Sequence, residues 1–178
     1  MKKKPEIQSR DARIWGIRAG KGGEAHDLFV GECVVALSDA DLGNLAKLPK
    51  SRDDFYNAYR KKHPEETRTG SAGIGGKFFR FTHEVNVGDL VVYPAISDKT
   101  IYVGSISGDY TFDKASPFPH QRSVVWKFMI PKSDFSLAAR YELGAARTFF
   151  EFKKNAKELF ARIGDKSAAP FRSNVKVK

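Results

Sequence analysis

The chain predicts an α+β fold: a small, strongly curved β-barrel with flanking helices. Three observations carry this. Residues 86–108, NVGDLVVYPAISDKTIYVGSISG, read as a hairpin of two short strands. Its strand positions are apolar on both faces, Val91 and Tyr93 on one and Leu90 and Val92 on the other, which suits a closed or tightly bent sheet. Helical stretches gather between the second and third predicted strands, as expected where helices flank one sheet.

In chain order, residues 1–11 read as a flexible basic leader with Lys2, Lys3 and Lys4. Residues 12–18 form the first strand, with Trp15 and Ile17 on one face and Ile14, Gly16 and Arg18 on the other. Residues 19–23 are a flexible glycine-rich loop carrying Lys21, and residues 29–37 the second strand. Asp39 or Asp41 caps a short helix ending near Lys47, and Ser51 caps the next helix, 52–62. Phe55 and Tyr59, four apart, form its inner stripe.

Residues 67–76, TRTGSAGIGG, read as a glycine-rich loop leading into a helix over 77–85. Beyond the hairpin, residues 109–121 with Pro117 and Pro119 form a long loop, and 122–130 another strand. A turn at Ser133 and a helix over 136–143 follow. Residues 145–154 are open between strand and helix, 155–163 are helical, and 165–178 read as a flexible basic tail. The expected organisation is one domain over 12–164.

At 41% hydrophobic and 29% charged, the composition is that of an ordinary globular chain. No apolar run approaches the ~20 residues that span a bilayer, and no signal-type segment opens the chain. The single cysteine, Cys33, excludes a disulfide framework within the chain, so a reducing, cytoplasmic setting is expected. The net charge is +10, and it is unevenly spread. Up to Asp113 there are 17 Lys+Arg against 16 Asp+Glu, and from Lys114 onward 14 against 5, a net of +9. A basic end of this kind points to a polyanionic partner, nucleic acid first, and not to a membrane.

Catalytic and metal motifs are sparse. Gly76-Lys77 lacks the first glycine and the hydroxyl of a phosphate-loop motif, with Ser71 and Phe78 in those places. A helix start at Lys77 is still able to hold one phosphate. Glu151-Phe152-Lys153 is a Glu-x-Lys triplet of the kind found in nuclease cores, which leaves a small magnesium-dependent nuclease using Glu151 and Lys153 as an alternative. His26, His63, His83 and His120 show no ligand spacing, so neither metal nor cofactor is expected.

Ile14-Trp15-Gly16-Ile17-Arg18, Gly88-Asp89-Leu90-Val91-Val92-Tyr93 and Ile101-Tyr102-Val103-Gly104-Ser105-Ile106 together resemble the PUA-like superfamily. Within it they are most similar to EVE-like domains and the N-terminal modules of Mrr-type restriction proteins; Val124-Val125-Trp126 fits the tryptophan-bearing strand that follows. The resemblance implies a reader and not an enzyme. Such a module flips a modified DNA base into an aromatic pocket, as part of a restriction or defence system with a nuclease or NTPase subunit or fused domain. Trp15, Tyr93 and Trp126 are the expected pocket walls, and Arg18, Lys21, Lys77 and Arg122 the expected phosphate contacts. An RNA-binding PUA-like module is the other reading, since RNA and DNA draw on the same basic and aromatic residues.

Overall fold

A computed structural model of the chain describes residues 12–173. Its strands are β1 (Ile14–Ile17), β2 (Val34–Leu37), β3 (Leu90–Pro94), β4 (Thr100–Ile106), β5 (Thr111–Phe112), β6 (His120–Pro131), β7 (Phe149–Glu151) and β8 (Ala169–Pro170). Five α-helices accompany them: α1 (His26–Gly31), α2 (Arg52–Lys62), α3 (Arg68–Phe79), α4 (Leu137–Leu143) and α5 (Ala156–Gly164). The sheet runs β2-β6-β4-β3-β1-β7, with β5 and β8 also paired to β6. It is a strongly curved half-barrel: β2 and β7 end the path and do not pair with each other.

The central hairpin pairs Leu90 with Ser105 and Tyr93 with Tyr102, and β1 lies parallel to β3 with Trp15 opposite Val91. Both faces are covered. Trp15, Ile17, Val91 and Tyr93 pack into one core, and Ile14, Leu90, Val92 and Val103 into another. The Gly88-Asp89 turn explains why β1 and β3 meet. Gly88 takes φ +96°, and the Asp89 carboxylate accepts from the Trp15 indole (2.9 Å), the Asn86 N–H (2.9 Å) and the Arg13 N–H (3.3 Å).

One bulge lets β6 serve both cores. Gly104 faces Trp126 while Val103 faces Phe128, so Lys127 is the extra residue. Residues 126 and 128 therefore point to opposite faces. Val124 and Trp126 join the first core, Phe128 and Ile130 the second. Gly104 is required there, because a Cβ would lie 2.7 Å from the Val125 carbonyl oxygen.

Several expectations change. The apolar run at 29–37 is split into α1 and β2, with Cys33 at φ +54° between them. Residues 68–79 form a helix and not a loop. Thr67 caps it by accepting from the Gly70 N–H (3.0 Å), and a Cβ on Gly75 would sit 3.0 Å from the Tyr56 backbone, so glycine permits the close α2–α3 contact. The helix then widens into a π turn over Arg80–Glu84. The short helix expected to end near Lys47 is two 3-10 turns, Ala40–Leu42 and Leu45–Lys47, and Asn44 caps the second by accepting from the Ala46 N–H. The 19–23 loop is closed by Ala25 N–H to Ala19 O (3.0 Å) and by Glu24 accepting from the Gly22 N–H. Part of the expected flexible tail is tied down, since β8 pairs with β6 and Phe171 N–H donates to Lys127 O. The expected leader, 1–11, and residues 174–178 lie outside the described residues.

His120 is fully buried at the start of β6. Its Nε2 lies 2.9 Å from the Asp39 carbonyl oxygen, which only accepts, so Nε2 carries the proton. Nδ1 then accepts from the Tyr110 hydroxyl at 2.7 Å, and that oxygen in turn accepts from the Leu45 N–H. Burial lowers the His120 pKa, and His83 is lowered the same way. The unfolded chain therefore binds more protons just below the ordinary histidine pKa of about 6.5, and stability is lost as pH falls through that value. The urea midpoint is expected to drop between about pH 7.5 and pH 5.5. His120→Asn should shrink that drop while lowering the midpoint at both values. An unchanged slope would mean that His120 is not held neutral.

Candidate functional site

The aromatic residues expected as pocket walls are core residues. Trp15 has no exposed surface and stacks on Phe149 at 5.0 Å. Tyr93 is 1% exposed and lies within 5.0–6.3 Å of Phe29, Tyr102 and Trp126. Its hydroxyl is 2.8 Å from His26 Nδ1, and burial raises its pKa. Trp126 donates its indole N–H to Phe29 O at 2.7 Å. Tyr93 and Trp126 thus meet, Trp15 lies in the same core but stacks on Phe149, and none offers an open ring face.

Arg122 is also a correction. Its guanidinium is buried and donates to Phe81 O (2.8 Å), Thr82 O (2.9 Å) and Gly108 O (3.1 Å), tying the π turn to β6. Every one of those carbonyls would compete with a phosphate. The residue braces the core.

The other three cations expected at phosphates do converge. Arg18 follows β1, Lys21 lies in the turn beyond it, and Lys77 is in the last turn of α3; all three line one cavity of about 400 Å³. Ligand pockets run from about 300 to 1,000 Å³, so the cavity is of ligand size. Its apolar wall includes Ile74, Tyr59 and Phe118, the last set between Pro117 and Pro119. Tyr59 is stacked on His63 at 4.4 Å, and half-buried Phe118 packs against the first core at the edge of the cavity.

Asp39 is the carboxylate of this cavity. It takes φ +75°, a conformation that aspartate tolerates better than most residues, and His120 holds its carbonyl. Its carboxylate lies 3.7 Å from Lys77 Nζ. Burial pushes the Lys77 ammonium down, and Asp39 opposes that shift.

A second cavity of about 460 Å³ shares Ile74, Lys77 and Thr148 with the first and adds Arg80 and Arg147. Its lining has no carboxylate. A third, of about 730 Å³, holds Glu151 and Lys153. Glu151 accepts from Arg13 at 2.6 Å and pairs with Lys153 at 3.2 Å, and the Arg13 bond leads in keeping its pKa low. The neighbouring Glu142 accepts from three backbone N–H groups over 153–155 and from the Asn155 side chain. Both carboxylates are spent on structure. Among the described residues no group of three His, Cys, Asp or Glu is placed to hold a metal ion.

Sequence reasoning missed Asp39, Phe118, Arg80 and Arg147. The two prolines around Phe118 were a usable signal, because they restrict the backbone on either side of that aromatic. Arg80 and Arg147 carry no local signal, since their meeting depends on β7 returning beside β1. The family described as a domain of unknown function (DUF8426) matches residues 19–153, and the chain belongs to it. That span takes in the residues of both basic cavities except Arg18. No curated protein matches the chain.

Proposed function

We propose that the protein is a cytoplasmic nucleic-acid reader that seats a single, preferentially modified DNA base in the cavity between Phe118, Asp39 and Lys77. The observation that carries this reading is the convergence of Arg18 and Lys21, from the turn after β1, with Lys77, from α3, on one cavity of nucleotide scale. Arg18 and Lys21 take the flanking phosphates, Phe118 stacks on the base, and the Asp39 carboxylate accepts from an exocyclic amino group. Extruding a base costs a few kcal/mol, and stacking returns about 1–3 kcal/mol, so the amino contact is needed as well. The likeness of the sequence to PUA-like readers supports the same role beside a nuclease or NTPase partner. No helix among the described residues is long and apolar enough to cross a membrane.

The test is a competition between matched DNA and RNA oligonucleotides, each with and without a modified base. Modified DNA should bind best, and Phe118→Ala should cost about tenfold in affinity through lost stacking. If RNA wins, the chain is an RNA-binding module. If no oligonucleotide binds, the reading fails.

A further inference from the structure

We infer that the second cavity is a phosphate subsite, in which Lys77, Arg80 and Arg147 hold a phosphodiester against the bare helix face at Gly73. The inference rests on the reading above, because Lys77 and Thr148 line both cavities. A strand whose base lies in the first cavity passes its next phosphate into the second.

Two independent observations point to an anion. The first is uncompensated charge. Among the described residues, neither Arg80 nor Arg147 has a carboxylate within ion-pairing distance, although Arg13, Arg52 and Lys77 each have one. Arg80 is half-buried, opens the π turn that ends α3, and feels Arg52, Arg147 and Arg13 as like charges against a single carboxylate, Glu84, which already pairs with Arg13 and Arg52. Guanidinium groups so placed match a phosphate, which accepts from two N–H groups at once.

The second observation is Gly73. It lies in the interior of α3 and lines this cavity. Glycine in a helix interior is unfavourable relative to alanine. Gly75 is explained by its contact with Tyr56, but a Cβ on Gly73 would meet nothing within 4 Å, and its φ is not positive. Neither packing nor backbone conformation requires glycine there. Close approach of an occupant to the helix backbone does.

Gly73→Ala and Arg147→Ala test the subsite. Arg147 is exposed, so its loss leaves the core untouched. Gly73→Ala should raise the thermal midpoint by about 1–4 °C and yet weaken binding of the preferred oligonucleotide by about tenfold. Arg147→Ala should weaken it similarly and reduce the salt slope by about 0.7–0.9. If both variants bind as the wild type does while Arg18→Ala binds more weakly, the subsite is refuted and the base-reading cavity stands. If no oligonucleotide binds, inorganic phosphate decides. A midpoint raised by millimolar phosphate in the wild type but not in Arg147→Ala would keep the phosphate site, with a free phosphate as its ligand, and discard the reader. No such shift would overturn both.

Discussion

Trp15→Ala is expected to lower the thermal midpoint by about 6–20 °C. A buried tryptophan truncated to alanine costs about 3–5 kcal/mol, and 1 kcal/mol moves the midpoint of a chain this size by about 2–4 °C. The cause is concrete. The indole fills the space beside Phe149, lies under the Arg13 guanidinium and donates to Asp89, the carboxylate that also holds Asn86 and Arg13. Calorimetry on Trp15→Ala and Trp15→Phe checks this, the second variant keeping the stack but losing the hydrogen bond and so falling between. A Trp15→Ala protein as stable as the wild type would mean that the ring is an accessible wall after all.

Arg18→Ala/Lys21→Ala should weaken oligonucleotide binding by about hundredfold at low salt with little loss of stability. Hydrogen bonds to charged groups are worth about 1.5–3 kcal/mol each, so two lost contacts reach that figure. Lys21 is exposed and Arg18 partly so, and neither belongs to a core. Fluorescence anisotropy with the double variant and thermal unfolding in parallel separate binding from folding. Equal affinity in the wild type and the variant would remove these cations from the interface.

The same contrast explains what the sequence made legible. β3 and β4 run close to where their turn residues put them, because Gly88-Asp89 and Pro94 act locally. α2 begins after Ser51 as expected, since its Oγ accepts from the Asp54 N–H. Residues 68–79 defied their composition because α2 supplies the packing that four glycines lack alone. Residues 29–37 were misread because a short apolar run is the same in a buried helix and a buried strand.

Among the cavity residues, Arg18 and Lys21 were readable from their place beside a turn, whereas Lys77 reaches the cavity from the last turn of α3 and not from the helix start expected there. Trp15, Tyr93, Trp126 and Arg122 were misjudged against a signal already present, the two-residue period of their strands. Arg122 is in phase with Val124 and Trp126, and Tyr93 with Val91, so each points inward with its strand. The proposed cavities do not follow the charge asymmetry. Four of the five cations at the two cavities, all but Arg147, come from the segment whose net charge is only +1.

The central claim is that these cavities bind a nucleic-acid strand through its phosphates. Its most direct test is the salt dependence of oligonucleotide affinity. Three to five neutralised phosphates predict that the logarithm of the association constant falls linearly with the logarithm of salt concentration, with a slope of about −2 to −4.5. A slope near zero, with binding retained, would contradict the account.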